Sequence, residues 1–391
     1  MEEATYKKQI RGLYLSNFFT GIVFWYGIEK LFMNSIGLDA KAIGIIAVIG
    51  VSLNLILDIP SGLLADRWSR KGMLAVSAIS LTICSLILGL SNGFWLYALG
   101  WVFYSICVVT TSGTYQAMTY DSLHENGKSA LYSKVNGRMY ALFLSGAGIG
   151  NIVGGLLASN YSYRLPFYMS IATSLINLVI ILRLYEPTFH KNTQERQSVG
   201  QLIKVSKTIA KIPLLGALSV VLSLFAVVEL FKLDFGQLYL LRYLSSPALL
   251  GLLWAIYAFS WAIGGLLAHH FRSKLTLLVV ATTLPIIFMA FLDSWVSIIF
   301  FFLQIVAMGA LQNQIETHIQ DETPSHLRAS VLSVLSSVGR VVSIPAAILF
   351  GWVIKNHGSF TAVRLTACIT VIILIYWLCY VALQKSRQPA I

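Results

Sequence analysis

The sequence contains few charged residues for its length. Charged residues make up only 11% of the 391 residues, and 16 residues are acidic. Soluble globular domains carry about 25% charged residues. Hydrophobic residues make up 57% of the chain, and the mean hydropathy is +0.75. A soluble domain could not bury that much apolar surface, so the composition excludes this class and predicts a chain embedded in lipid.

Cysteine is also scarce. The four cysteines all fall within apolar stretches and lack the spacing of metal ligands; they are Cys84, Cys107, Cys368 and Cys379. This pattern predicts buried free thiols rather than disulfides or a zinc site. The adjacent pair His269 and His270 has no third ligand nearby in sequence. We therefore expect neither a metal nor a cofactor.

Motifs of the common enzyme classes are missing. The chain has no nucleophile elbow, phosphate-binding loop, Walker motif or H-E-x-x-H pair. No segment outside the apolar stretches is large enough to form a sensing domain. We therefore expect neither an enzyme nor a receptor.

Long apolar stretches dominate the sequence. Each has about the 20 residues that an α-helix needs to cross a bilayer, and continuous apolar runs favour helices over the alternating strands of a barrel. The predicted fold class is therefore all-α integral membrane. The twelve stretches are residues 12–33, 41–65, 73–90, 94–118, 136–158, 165–184, 214–243, 247–268, 275–292, 295–316, 328–353 and 361–382.

The basic residues cluster on one side of these spans. With the N-terminus inside the cell, 20 of the 28 Lys and Arg residues fall on cytoplasmic segments, as the positive-inside rule requires. An even number of spans then places both termini in the cytoplasm. The net charge of +12 is explained by this topology, and we expect a multi-pass protein of the inner (plasma) membrane with no nucleic-acid partner.

The sequence repeats itself after about half its length. Residues 62–71 read GLLADRWSRK and residues 265–274 read GLLAHHFRSK, each following the second span of its half. The halves are separated by the polar stretch 185–212. The pattern predicts two six-helix bundles, at 1–184 and 213–391, joined by a cytoplasmic linker at 185–212. Apolar residues on one face of the linker predict a helix on the inner leaflet, with a solvated linker as the alternative.

The first repeat resembles the cytoplasmic motif of the major facilitator superfamily, G-x-L-A-D-R-x-G-R-K-x-x-L, with Ser69 in place of the second glycine. The matching residues are Gly62, Leu64, Ala65, Asp66, Arg67, Arg70, Lys71 and Leu74. The resemblance covers the whole chain and extends to the bacterial drug/proton antiporter-like branch. It implies twelve transmembrane helices in two pseudo-symmetric bundles and transport by alternating access.

The resemblance also implies a cytoplasmic gate. Asp66, Arg67, Arg70 and Lys71 would interact there with Asp121, at the inner end of the fourth span, and pin the two halves together. The gate candidates are Gly62, Asp66, Arg67, Arg70, Lys71 and Asp121. The alternative is that these charges only fix the topology.

Glycines recur along the fifth span. Gly146, Gly150 and Gly154 are four residues apart, so one helix face lacks side chains and permits close helix contact. The stretch is similar to the glycine motif of exporters in the superfamily, although Asn151 stands where that motif has proline. Helix packing alone is the alternative interpretation.

Acidic residues within spans are candidates for proton coupling, because a charge at the bilayer centre costs roughly 2.5–3.5 kcal/mol. We predict a Glu229–Arg340 ion pair, with Lys232 as a competing partner, and either a structural or a coupling role for it. Asp58 would carry a proton or cap a helix end. We expect Glu29 to lie near water and Lys30, which keep it ionised. The candidates are Glu229, Asp58, Glu29 and Asp234.

Aromatic, amide and basic residues in the presumed cavity-lining spans suit an amphipathic, drug-like substrate. Interface belts or helix packing are the alternative use of the aromatic residues. We predict proton-coupled efflux of a small amphipathic molecule by a monomer, or alternatively symport of a sugar or organic anion. The candidate cavity residues are Arg340, Lys232, Trp25, Tyr26, Asn17, Tyr104, Gln116, Trp254, Tyr257 and Gln312.

Overall fold

The computed structural model describes residues 3–187, 212–272, 274–323 and 328–387, and every regular element in these ranges is helical. The helices that precede the linker are α1 Glu3–Gly21, α2 Glu29–Ser35, α3 Ala40–Arg67, α4 Arg70–Leu90, α5 Phe94–Thr111, α6 Thr114–His124, α7 Tyr132–Asn160 and α8 Leu165–Leu182. Those that follow it are α9 Pro213–Leu230, α10 Gly236–Leu240, α11 Pro247–Leu267, α12 Leu275–Phe291, α13 Ser297–Glu322, α14 Arg328–His357 and α15 Ser359–Arg387.

The helices account for the twelve predicted apolar stretches. Within the described residues, ten helical stretches are long and apolar enough to cross a membrane, and α12 is a shorter apolar helix of 17 residues. The remaining stretch, 12–33, contains the end of α1, a short 3₁₀ turn at Tyr26–Ile28 and most of α2. The predicted fold class, an all-α membrane protein, is confirmed.

The first span is broken rather than continuous. α1 ends at Gly21, and the backbone leaves helical geometry until Tyr26. Hydroxyls of α8 satisfy backbone groups that the break releases: Ser170 accepts from the Phe24 N–H at 3.0 Å, and Thr173 donates to the Ile22 carbonyl at 3.2 Å. A broken helix is tolerated in a membrane when neighbouring side chains provide such partners.

Contacts group the chain into two compact units. The first contains residues 1–39, 49–195 and 244–258, and the second contains 40–48, 196–243 and 259–391. Helices α3 and α11 therefore contribute to both units. The domain boundaries expected from the sequence stay a prediction, and residues 188–211, which include most of the expected amphipathic linker helix, lie outside the described residues.

In the first unit, α7 packs on α1 through the predicted glycine face. A Cβ added at Gly146 would lie 2.3 Å from the Phe18 carbonyl oxygen, and one at Gly154 would lie 1.7 Å from that of Phe24. At Gly150 an added Cβ would be 3.0 Å from the Val23 nitrogen. Because only glycine lets two backbones approach this closely, the repeat sets the distance between these segments.

The prediction of four buried thiols is wrong for two cysteines. Cys84 and Cys107 are buried, whereas Cys368 and Cys379 are exposed on α15. The physical reason is that a membrane helix need not bury its apolar face in protein, because lipid is an equally apolar surrounding.

Candidate functional site

The first unit contains a cavity of about 460 Å³. This volume falls within the range of small-molecule sites. Helices α1, α4, α5, α6, α7 and α8 and the break after α1 contribute side chains, and none of the described side chains that line the cavity is charged. The lining residues are Asn17, Thr20, Val23, Tyr26, Ser77, Ala78, Leu81, Tyr104, Cys107, Val108, Thr111, Ser112, Gly113, Tyr115, Gln116, Asn136, Met139, Tyr140, Phe143 and Asn177.

Thr20, Tyr115 and Asn177 line the cavity and, with the buried Ser16, form a hydrogen-bonded network of four side chains, which we call the polar floor. The Ser16 hydroxyl donates to Oδ1 of Asn177 at 2.7 Å, and Nδ2 of Asn177 donates to the Thr20 hydroxyl at 2.9 Å. The Tyr115 hydroxyl lies 2.6 Å from that of Ser16 and 2.8 Å from that of Thr20. The network joins α1, α6 and α8 with uncharged donors and acceptors.

A pair of phenols forms a second polar part of the wall. The hydroxyls of Tyr26 and Tyr104 are 2.7 Å apart. Trp25 supports this pair from behind: its ring contacts that of Tyr26, with centroids 4.6 Å apart, and stacks on Phe167 at 5.5 Å. Because its indole also donates to Ser85 at 3.2 Å, Trp25 is fixed in the protein interior. The break after α1 places Tyr26 in this position.

The predicted gate residues meet a partner that the sequence did not reveal. Arg70 and Asp121 form an ion pair within the first unit. The carboxylate of Glu186 accepts hydrogen bonds from the backbone N–H groups of Arg70 and Lys71, both at 2.8 Å, and from the Ser69 hydroxyl at 2.7 Å. An anion at this position satisfies the free N–H groups at the start of α4.

Three other gate candidates, Gly62, Asp66 and Arg67, lie on the last turns of α3. Their side chains are outside the described part of the structure, so the contact of Asp66 with this cluster stays a prediction.

Comparison with known proteins identifies the family. The family model of the Major Facilitator Superfamily matches residues 12–347. The chain belongs to the major facilitator superfamily. No curated protein matches the sequence.

Solved structures of the superfamily share the fold at low sequence identity. A mutant of the nucleoside transporter NupG has 15% identity and a TM-score of 0.81, over 96% of this chain and 99% of that one. A bacterial homolog of the human lysosomal transporter Spinster has 16% identity and a TM-score of 0.77 over the full length of both chains. A D-xylose-proton symporter has 11% identity and a TM-score of 0.72, covering 96% of this chain and 97% of that one.

Four of the predicted cavity residues of this superfamily member meet in the cavity: Asn17, Tyr26, Tyr104 and Gln116. The others do not line it. Trp25 packs behind Tyr26, as described above. Trp254 and Tyr257 are buried on α11 and stack on each other, with centroids 5.0 Å apart. Gln312 donates to Glu316, one turn along α13, at 3.0 Å. Lys232 and Arg340 belong to the second unit.

The expectation for Glu29 is wrong in one respect. Its carboxylate is 3.1 Å from Nζ of Lys30, as expected, but only 6% of the residue is exposed. Instead of water, the hydroxyl of Tyr97 donates to the carboxylate at 2.9 Å. The sequence could not show this, because Tyr97 reaches Glu29 from α5.

The other coupling candidates are partly buried. Asp58 lies in α3, and Asp234 lies in a π-helical segment, Phe231–Phe235. Lys232 and Glu316 act electrostatically on Glu229. The Glu229–Arg340 pair and the proton-carrying roles of these acids stay predictions.

Sequence reasoning missed the polar floor. Hydroxyl residues are common in membrane helices because they can bond to their own backbone, so Ser16 and Thr20 gave no signal individually. Their spacing of four residues, which puts both on one face of α1, and the amide of Asn177 in an apolar span were the available clues. Glu186 could have been found as an acid at the end of the sixth span.

Proposed function

We propose that the chain is a secondary active transporter that carries a small, uncharged, amphipathic molecule across the inner membrane by alternating access. The cavity of the first unit, with its uncharged polar floor and apolar walls, is the observation that carries this proposal. The protein works in the lipid bilayer as a monomer, with both termini in the cytoplasm.

The uncharged lining of the cavity supports a neutral substrate. A charged ligand would lose its hydration in the cavity without meeting an opposite charge, and that loss is costly. A neutral ligand with hydroxyl or amide groups would exchange hydrogen bonds with water for bonds to the polar floor. Leu81, Val108 and Phe143 offer apolar contact to the rest of such a molecule.

Proton-coupled efflux is the first candidate direction, because aromatic and aliphatic walls suit drug-like molecules. Proton-coupled uptake of a neutral nutrient such as a sugar is the second candidate, and the dense hydrogen bonding of the polar floor favours it. The glycine repeat supports neither direction, since packing of α7 against α1 and the break after it accounts for it.

We propose that acidic residues within the spans couple proton movement to substrate transport. Glu229 and Asp58 are the first candidates. Glu229→Gln and Asp58→Asn would each abolish gradient-driven accumulation while preserving substrate binding and exchange without a gradient. Glu29 is a weaker candidate because Lys30 and Tyr97 hold its carboxylate. Wild-type accumulation by both variants would contradict the assignment.

The cluster of Arg70, Asp121 and Glu186 is proposed to act with Asp66 as the cytoplasmic gate. Asp66→Asn would shift the protein toward inward-facing states at normal expression. Labelling of cavity cysteines from each side of the membrane measures this shift, and unchanged labelling together with lost transport would contradict the gate.

A thermal-shift screen on purified protein tests the substrate class. We expect stabilisation by neutral amphipathic molecules, such as nucleosides, glycosides or uncharged drugs, and none by permanently charged analogues of the same size. Loss of one cavity hydrogen bond costs about 1 kcal/mol, so Asn177→Ala would weaken binding by roughly fivefold.

Ser174→Ala is the matched control for Asn177→Ala. Ser174 lies one turn away on α8 and bonds to Thr82 at 2.7 Å without lining the cavity. Ser174→Ala should therefore leave the affinity for the neutral ligand unchanged. Stabilisation by charged compounds only, or equal effects of both variants, would overturn the cavity as the binding site.

A further inference from the structure

Each half of the chain places one buried lysine over an aromatic ring, where its first predicted span departs from regular α-helix. Lys30 follows the 3₁₀ turn Tyr26–Ile28, and its Nζ lies 5.5 Å from the ring centroid of Trp101. Lys232 lies in the π-helical segment Phe231–Phe235, and its Nζ lies 5.4 Å from the ring centroid of Phe301. Both lysines are only 2% exposed.

At Lys30, a carboxylate balances the charge of the buried ammonium group. Oε1 of Glu29 lies 3.1 Å from Nζ of Lys30, and the Tyr97 hydroxyl holds the same oxygen at 2.9 Å. A buried ammonium group needs an opposite charge close to it, because an aromatic ring alone does not replace its hydration. In the first half, the neighbouring residue in the chain supplies that charge.

The second lysine has the ring but not the neighbouring carboxylate. The residue before it is Phe231, which is buried and contacts Phe350 with ring centroids 5.2 Å apart. Among the described residues, Nζ of Lys232 has no hydrogen-bond partner. Glu229 lies one turn earlier and acts on Lys232 electrostatically, without accepting a hydrogen bond from it.

The π-helical segment gives an independent indication. A π-bulge inside an α-helix is rare and is found frequently at functional sites. Here it contains Lys232 itself, and α-helix resumes at Gly236. The chain therefore departs from α-helix at the residue whose ammonium group has no hydrogen-bond partner within the described ranges.

We propose that Lys232 is an anion-binding residue, and that its ligand is a small monoanion, either a halide or the carboxylate of an organic solute. The anion occupies, at Lys232, the position relative to the ammonium group that the Glu29 carboxylate occupies at Lys30. Phe301 forms one wall of this site through its ring, and an N–H donor of the ammonium group bonds to the anion. The site is separate from the uncharged cavity of the first unit and does not depend on the transport proposal.

Anion-dependent thermal unfolding of the purified full chain tests this site. Sodium chloride, sodium acetate and sodium benzoate are titrated in turn, with sodium isethionate, whose anion is bulky, holding the ionic strength constant. We expect a saturable rise in Tm, because a ligand that binds only the folded state stabilises it. A response to chloride identifies a halide site, and a response to benzoate or acetate alone identifies a carboxylate site.

Lys232→Met keeps the length of the side chain and removes the charge, so it should lose the saturable rise in Tm. Removing an ammonium group that has no hydrogen-bond partner among the described residues also removes the cost of burying it, so this variant should fold. No rise in the wild type, or an equal rise in Lys232→Met, would overturn the proposal.

Glu29→Gln gives a second test in the other half. It removes the carboxylate beside Lys30 and leaves Tyr97 an amide oxygen to which its hydroxyl can donate. Lys30 would then lie over an aromatic ring without an adjacent carboxylate, as Lys232 does. We expect a second anion-dependent increment in Tm, absent in Glu29→Gln combined with Lys30→Met. A Glu29→Gln protein with the wild-type response would contradict the equivalence of the two lysines.

Discussion

Glu186 shows how one side chain can hold an element in place in this protein. Its carboxylate bonds to two backbone N–H groups and one hydroxyl at the start of α4, next to the Arg70–Asp121 ion pair. Charge-assisted hydrogen bonds of this kind are about twice as strong as neutral ones. The residue therefore links the end of the sixth span to the predicted gate.

Glu186→Gln is expected to destabilise the protein by about 1 kcal/mol, because it removes the negative charge from a helix N-terminus. Thermal unfolding in detergent measures the change. Asp321→Asn is the control, since Asp321 is exposed and lies 3.6 Å from Arg272, and exposed pairs contribute little. Equal Tm losses for the two variants would contradict the role of Glu186.

Individual residues of the site were predictable only in part. Asn17, Tyr26, Tyr104 and Gln116 were found because polar and aromatic residues stand out in apolar spans. Ser16 and Asn177 were not, because their hydrogen bond joins residues distant in sequence. Charged residues are more conspicuous in apolar spans than the hydroxyl and amide residues of this network.

At the scale of elements, close packing between the fifth and first spans depends on glycine. Gly154→Ala would place a methyl group 1.7 Å from the Phe24 carbonyl oxygen, so the segments must separate. Overpacking of this kind costs roughly 1–3 kcal/mol. We expect a lower Tm and a weaker ligand response, because the moved segment positions Tyr26.

Gly137→Ala is the matched control on the same helix. An added Cβ at Gly137 has no heavy atom within 4 Å of it, and alanine in a helix is about 0.5–1 kcal/mol more favourable than glycine. We expect an unchanged or higher Tm. Equal destabilisation by the two substitutions would show that the close contact is not what matters.

Arg242, Tyr243 and Asp293 form a hydrogen-bonded cluster in the second unit, which we call the charged clamp. Arg242 donates from Nε to Oδ1 of Asp293 at 2.8 Å and makes a second bond to Oδ2, and the Tyr243 hydroxyl donates at 2.9 Å. The hydrogen bond from Arg242 is the main reason why the pKa of Asp293 is lowered from its usual value. The clamp joins the end of α10 to the loop between α12 and α13.

The lowered pKa gives the clamp a pH dependence of known sign. A carboxyl group with a depressed pKa in the folded state stabilises the fold above its unfolded pKa, and the contribution is lost as pH falls through the folded pKa. We expect wild type to be more stable than Asp293→Asn at neutral pH, with the difference vanishing in acid. A difference in Tm that stays constant on acidification would contradict this.

The helices were easier to predict than their irregularities. Twelve apolar stretches gave the spans, because length and hydropathy alone decide whether a helix can cross a bilayer. The break after Gly21 was not predicted, since Ile22, Val23, Phe24 and Trp25 continue the apolar run. Its stabilising partners, Ser170 and Thr173, lie in the sixth span. The π-helical segment at Lys232 was not predicted either, because it lies inside the predicted span 214–243.

For the molecule as a whole, we propose transport of a neutral solute that binds in the cavity of the first unit. Composition and the repeat at 62–71 were enough to predict the superfamily, which the match over residues 12–347 shows. The uncharged lining of the cavity was not predictable, because side chains from six helices meet around it.

Counterflow in proteoliposomes tests whether the protein exchanges a neutral solute. Vesicles loaded with a neutral compound from the thermal-shift screen are diluted into its labelled form, so exchange is measured without an imposed ion gradient. We predict labelled uptake by wild type and by Ser174→Ala, and uptake reduced by roughly fivefold at subsaturating substrate in Asn177→Ala, the cost of one lost hydrogen bond. Equal uptake by all three proteins, or exchange of charged compounds only, would contradict the account.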